Sequence, residues 1–111
     1  MNYLHNWFNL KESYKDLEFC DALNKYLGLL KSKGLIEGFR LTRRKFGFGP
    51  EGIGEFHVVI ETTDLAQLDS AFNLVATRSG ETEDAHRGVW SAVKDLKVAL
   101  YRDFPDPQRV Q

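Results

Sequence analysis

Two runs decide how this chain reads: Ile36-Glu37-Gly38-Phe39-Arg40-Leu41-Thr42-Arg43-Arg44-Lys45 and Glu55-Phe56-His57-Val58-Val59-Ile60-Glu61-Thr62. Each alternates with a period of two, the mark of a half-buried strand. A glycine-rich connection, Phe46 to Gly54, joins them. The pair predicts one long hairpin. On the first arm Phe39 and Leu41 share a face with Arg43, while Arg40, Thr42 and Arg44 share the other. On the second arm Phe56, Val58 and Ile60 face one way, and Glu55, His57, Val59 and Glu61 the other. The apolar sets should meet a core, and the polar sets should line the opposite face.

Upstream of the hairpin, Asn2 to Leu10 reads as a strand. Tyr3, His5, Trp7 and Asn9 point one way; Leu4, Asn6, Phe8 and Leu10 point the other. A helix is expected over about Tyr14 to Lys33, with Ser13 as N-cap and Asp16 three residues on. Its stripe is Leu17, Cys20, Leu23, Leu27 and Leu30, flanked by Phe19 and Tyr26. Lys31 and Lys33 suit the negative end of the helix dipole, and Gly34 suits the position after it.

Downstream, Asp64 caps a second helix with Gln67 in the capping-box position. Leu65, Leu68, Phe72 and Val75 form its stripe, and Gly80 ends it. A shorter helical piece covers Glu81 to Ser91. Leu96 to Phe104 is a final strand, stopped by Pro105-Asp106-Pro107, and 105–111 read as a loose tail. Strand, helix, strand, strand, helix, strand is the ferredoxin-like α+β order. It implies a four-stranded antiparallel sheet with helices on one face and the first and third strands central.

Composition sets the bounds. The 111 residues make a single domain, 1–111, large enough for one core. The hydrophobic share is 42% and the charged share 28%, as in a folded globular chain. Net charge is -1, which argues against nucleic acid or a membrane surface as partner. No apolar run approaches the roughly 18 residues of a membrane span, and no signal peptide is visible. The single cysteine, Cys20, excludes an intrachain disulfide and suits a cytoplasmic location. Its place in the first helix stripe reads as inert core.

The face turned away from the helices has unusual content. It collects Tyr3, His5, Trp7 and Asn9, then Arg40, Thr42 and Arg44, then Glu55, His57, Val59 and Glu61, then Lys97, Ala99, Tyr101 and Asp103. Large aromatics and two histidines on central strands imply a covered surface. The simplest cover is a second copy of the same sheet about a twofold axis, giving a closed barrel with a partly polar interior.

This pattern resembles the dimeric α/β-barrel superfamily, which includes stress-responsive barrel proteins and antibiotic-biosynthesis monooxygenases. More narrowly, four stretches resemble a small bacterial family of unassigned function. They are His5-Asn6-Trp7-Phe8-Asn9-Leu10, Gly34 to Lys45, Gly54-Glu55-Phe56-His57 and Tyr101-Arg102-Asp103-Phe104-Pro105. The resemblance implies a homodimer and a barrel. It brings no catalytic residues with it.

Several groups are candidates for chemistry. Gly47-Phe48-Gly49-Pro50-Glu51-Gly52 matches G-x-G-x-x-G literally. A dinucleotide fingerprint needs a helix N-terminus after it, and here a strand follows. The stretch reads instead as a hairpin loop, with a possible role as a lid at a cavity mouth. His5 and His57 lie on adjacent strands and share the inner face; they suit a general base, a metal pair with Glu55 as third ligand, or an interface hydrogen bond. Arg40 or Arg44 suits an anion. The basic cluster Arg40, Arg43, Arg44 and Lys45 is split between faces and lacks the aromatic pattern of an RNA-binding sheet. Trp7 and Tyr101 suit a planar ligand or an interface anchor.

Two functions follow. One is a homodimeric barrel that binds a small anionic or aromatic molecule through His5, Trp7, Asn9, Arg40, Arg44, Glu55, His57 and Tyr101, with no cofactor and no resident metal. The other is a cofactor-independent monooxygenase or isomerase type of enzyme. In it His57 or His5 is the base, and Arg40 or Arg44 steadies developing negative charge. A nucleic-acid-binding module is the weakest alternative.

Overall fold

The computed structural model describes residues 1–77 and 80–106. The chain forms β1 (Asn2–Leu10), a 3-10 turn (Ser13–Lys15), α1 (Asp16–Ser32), β2 (Gly38–Arg43) and β3 (Phe56–Thr62). It continues with α2 (Leu65–Ala76), α3 (Gly80–Trp90) and β4 (Val93–Arg102). The strands make one antiparallel sheet in the order β2-β3-β1-β4. The fold is ferredoxin-like, with β1 and β3 central as expected. Residues 107–111 of the expected tail lie outside the described residues.

The alternation places the core correctly. Phe8, Val58, Leu23, Leu27 and Val89 have no exposed surface. Phe8 stacks on Phe56 at 5.9 Å between ring centroids, and Phe19 closes the cluster 5.4 Å from Phe8. Burial of such side chains contributes about 1.5–3 kcal/mol each. Tyr26 joins this core; burial pushes its hydroxyl up to about 12, with the Glu83 carboxylate adding in the same direction. That phenol stays protonated and packs.

Gly54 makes the hairpin fit against β1. A Cβ there would run into the Phe8 carbonyl. Only glycine lets the chain cross so close to a central strand.

Four details differ from the sequence reading. Ser13 does not cap α1. The chain enters through the 3-10 turn, with Lys15 N–H donating to the Glu12 carbonyl, and α1 starts at Asp16, whose carboxylate accepts from Leu17 N–H at 2.8 Å. The buried stripe is Phe19, Leu23, Tyr26, Leu27 and Leu30. The ring of Phe19 takes the core position, which leaves Leu17 78% exposed and Cys20 half-buried beside the stripe.

The second helix ends at Ala76, not at Gly80. Gly80, at φ 70°, instead opens α3, the shorter helical piece expected over Glu81 to Ser91. The capping box at the start of α2 is present: Gln67 N–H donates to Asp64 Oδ1 at 2.8 Å, and Thr63 N–H donates to Gln67 Oε1 at 2.7 Å.

The last strand starts three residues earlier than read, at Val93, and stops at Arg102. A bulge opposite Trp7 to Asn9 explains the early start. Asp95, at φ 58°, is the extra residue, and it reverses the parity of the alternation. Val93 and Leu96 thus share the helix side although their numbers differ by three. Leu96, Val98 and Leu100 on that side are each about half exposed. Leu96 and Val98, with Leu4, Phe72 and Trp90, border an apolar cleft of about 290 Å³ between β4 and the helices.

Candidate functional site

The open face of the sheet carries a continuous wall of rings. Trp7 on β1 pairs directly with His57 on β3, and His57 pairs in turn with Thr42 on β2. His5, two residues before Trp7, faces Val59 on one side and Ala99 on the other. The Trp7 and His57 rings are 5.0 Å apart and within 13° of parallel; His5 and Trp7 are 5.6 Å apart at 15°. The Tyr101 ring stands edge-on to His5 at 4.9 Å.

His5 Nδ1 lies 2.9 Å from His57 Nε2. The rings are 5.1 Å apart and within 8° of parallel. That separation nearly equals the N···N distance plus two ring radii. The imidazoles therefore meet edge to edge in nearly one plane, with one N–H donating to the other ring's bare nitrogen.

Thr42 helps to assign the proton. Its Oγ1 lies 3.3 Å from the His57 carbonyl and 3.5 Å from His57 Nδ1. One arrangement satisfies all three contacts. The Thr42 hydroxyl donates to the His57 carbonyl, His57 Nδ1–H donates to Thr42 Oγ1, and His5 Nδ1–H donates to His57 Nε2. His5 Nε2 is then the bare nitrogen of the pair. Partial burial lowers the affinity of His57 for a second proton, and the charge that His5 can carry lowers it further.

Above the histidines, Tyr3 pairs with Tyr101, and its hydroxyl donates to Asp103 Oδ1 at 2.7 Å. That contact pushes the Tyr3 hydroxyl up. Arg40 shares the open face, opposite Val59, and its side chain makes no hydrogen bond or ion pair among the described residues. It is a diagonal neighbour of His57, at about 7–8 Å between backbones.

The remaining candidates go elsewhere. Arg44 Nη2 donates to the Ile53 and Gly54 carbonyls at 2.8 and 3.2 Å, so its guanidinium braces the hairpin loop. Glu55 accepts from Arg43 Nε at 2.8 Å, and Arg43 reaches on to Asp16 of α1 at 3.1 Å while lying over the Phe56 ring. That network belongs to the helix side, so Glu55 does not join the histidines. Asn9 ties the sheet end together: its Oδ1 accepts from Glu55 N–H at 2.9 Å and its Nδ2 donates to Asp95 at 3.1 Å. Among the described residues no three His, Cys, Asp or Glu side chains converge as a metal cage would require.

Thus His5, Trp7, Arg40, His57 and Tyr101 share one surface, while Asn9, Arg44 and Glu55 are engaged by partners within the chain. Thr42 is the residue that sequence reasoning did not single out. Alternation puts it on the right face, but only the register shows that it lies directly beside His57. The apolar cleft beneath β4 lies on the opposite side of the sheet and is lined almost wholly by hydrocarbon. Its lining residues with polar groups are Asn6, Tyr26, His86 and Trp90.

All 111 residues match the model of one family, described as a family of unknown function (DUF6614). The chain belongs to that family. No curated protein matches it. Solved structures show the fold at low identity. One is a dimeric ferredoxin-like protein of unknown function from Jannaschia sp. CCS1, with 12% identity, a TM-score of 0.67, and coverage of 92% of this chain and 98% of that one. A dimeric protein of unknown function with a ferredoxin-like fold from Bacteroides fragilis NCTC 9343 has 13% identity and a TM-score of 0.61, covering 92% and 95%. A dimeric ferredoxin-like protein from an uncultured marine organism has 12% identity and a TM-score of 0.62, covering 95% of each chain. Among the described residues no helix is long and apolar enough to cross a membrane.

Proposed function

We propose that this protein is a homodimer that packs open face to open face and binds a small anionic or aromatic molecule in the enclosed space. One observation carries the reading. A wall of near-parallel rings (Trp7, His57 and His5) stands on a sheet face that none of the described helices covers. Aromatic rings left open to water on central strands favour a covering partner, and a second copy supplies one with self-complementary geometry. Neighbours described as dimeric support a dimer. Within the space, the Trp7 ring offers a planar stacking surface, Arg40 offers a guanidinium with no partner among the described residues, and the histidine pair offers an acceptor, His5 Nε2.

The test is binding of simple aromatic carboxylates and phenols, with benzoate as first probe, followed by calorimetry on the wild type and on Arg40→Ala. Saturable binding that weakens in Arg40→Ala supports the reading. No binding by any member of an acidic and aromatic panel removes the ligand and leaves only the dimer.

A second reading has its own observation. Burial, and then His5, lower the affinity of His57 for a second proton, and the tautomer set through Thr42 leaves His5 Nε2 as an acceptor. That is the arrangement of a general base with an orienting acceptor behind it. An enzyme of the proton-abstracting kind, cofactor-independent monooxygenase or isomerase, would use His5 Nε2 as base, with His57 Nε2 accepting from His5 Nδ1–H and so orienting the ring. Exchange of an acidic C–H proton on a bound ligand, abolished in His5→Gln, is the readout that separates the enzyme from the binding module.

A further inference from the structure

We infer that the β2–β3 loop, tipped by Phe46 and Phe48, is a clasp that docks on the second copy of the chain and closes the mouth of its cavity. The inference rests on the proposed face-to-face dimer and deepens it.

The tip of the loop has the wrong sequence for a turn alone. Phe46 and Gly47 both have positive φ, 54° and 72°, and Phe48 N–H donates to the Lys45 carbonyl at 3.0 Å. That is the signature of a type I′ turn, which favours Asn-Gly. Phenylalanine is strained in the left-handed region, because its Cβ crowds the backbone. The Phe46 ring stays 83% exposed, with the Lys45 ammonium over it as a local contact, and Phe48 is 81% exposed. Two bare rings on one turn, one of them held in a costly conformation, point to contact with another surface.

The loop also leans the right way. Arg44 follows Arg40 and Thr42 in the open-face alternation, and its guanidinium grips the loop carbonyls at Ile53 and Gly54. A Cβ on Gly52 would lie 3.3 Å from Lys97 Nζ, and Lys97 is the open-face partner of Trp7. The loop therefore folds back along the rim of the open face. It is continuous with the surface that the dimer would bury, so its aromatic tip extends that contact onto the second copy. Lys45 Nζ sits 5.2 Å over the Phe46 ring, which leaves one charge at the edge of an apolar knob.

The decisive variant is Phe46→Asn with Phe48→Ser. Asn-Gly improves the turn, so the fold should hold, checked by circular dichroism. The dimer dissociation constant, measured by sedimentation velocity across a dilution series, should rise by about tenfold or more, as for loss of aromatic interface anchors. An unchanged constant in a dimer that an open-face substitution such as Val59→Arg does break overturns the clasp and spares the dimer. A wild type that sediments as a monomer overturns both. Co-sedimentation with phosphatidylcholine–phosphatidylserine vesicles that depends on Phe46 and Phe48 assigns the tip to a lipid surface and overturns the clasp.

Discussion

The Nδ1 of His5 and the Nε2 of His57 stand 2.9 Å apart across the seam between the two central strands. They share one proton within an otherwise aromatic wall. A pair so arranged holds one positive charge more readily than two, and its titration belongs to the pair.

This fixes a pH dependence. The affinity of His57 for its proton is lowered in the folded chain by burial and by His5. As pH falls through about 6.5, the unfolded chain takes up a proton that the folded chain still refuses. Stability is therefore full above that pH and declines as pH falls toward the lower folded value. Thermal midpoints from pH 8 to pH 5 should drop on the acid side, and His57→Gln should flatten that part of the profile.

Arg40 and Arg43 should separate function from structure. The Arg40 side chain has no partner among the described residues, whereas Arg43 is held by Glu55 and Asp16. For a carboxylate ligand, Arg40→Ala should weaken binding by about ten- to a hundredfold, the worth of a hydrogen bond to a charged group. Arg43→Ala should leave affinity unchanged and make only a small, salt-sensitive change in melting, because the pair is largely exposed. Calorimetry and melts at two salt concentrations check both.

Gly54→Ala should destabilise the fold although it adds only one methyl group. The new Cβ meets the Phe8 carbonyl, and neither backbone segment has slack. The expected loss is about 1–3 kcal/mol, as for overpacking. Leu27→Ala, in the middle of the core, should cost about 2–5 kcal/mol. Urea unfolding measures each.

Arg44→Ala should loosen the hairpin loop without unfolding the sheet. Its guanidinium is the side-chain brace on the Ile53 and Gly54 carbonyls. Limited proteolysis should cut the variant faster between Lys45 and Gly54, with a near-normal melting midpoint.

These residues also show where sequence reasoning reached and where it stopped. The two hairpin arms and β1 were legible because one face of each is buried, and period-two alternation then fixes every side chain in register. That was enough to put His5, Trp7, Arg40, His57 and Tyr101 on one surface. Arg44 and Glu55 lie just past the regular strands, where alternation no longer governs, and local partners capture them: loop carbonyls for Arg44, Arg43 for Glu55. Asp95 hid the start of β4, because one left-handed residue shifts the parity of a strand. Gly80 is ambiguous in the same way. A glycine at positive φ suits the end of one helix or the entry to the next, and only packing of α3 on α1 chooses.

The central claim is that the ring wall is an interface. Sedimentation equilibrium of the wild type and of Val59→Arg tests it most directly, because Val59 lies opposite both His5 and Arg40 on the open face. The account predicts a wild-type mass twice the 12.8 kDa of one chain and a folded monomer for Val59→Arg. A wild type that stays monomeric at every concentration, or a dimer that Val59→Arg leaves intact, would contradict it.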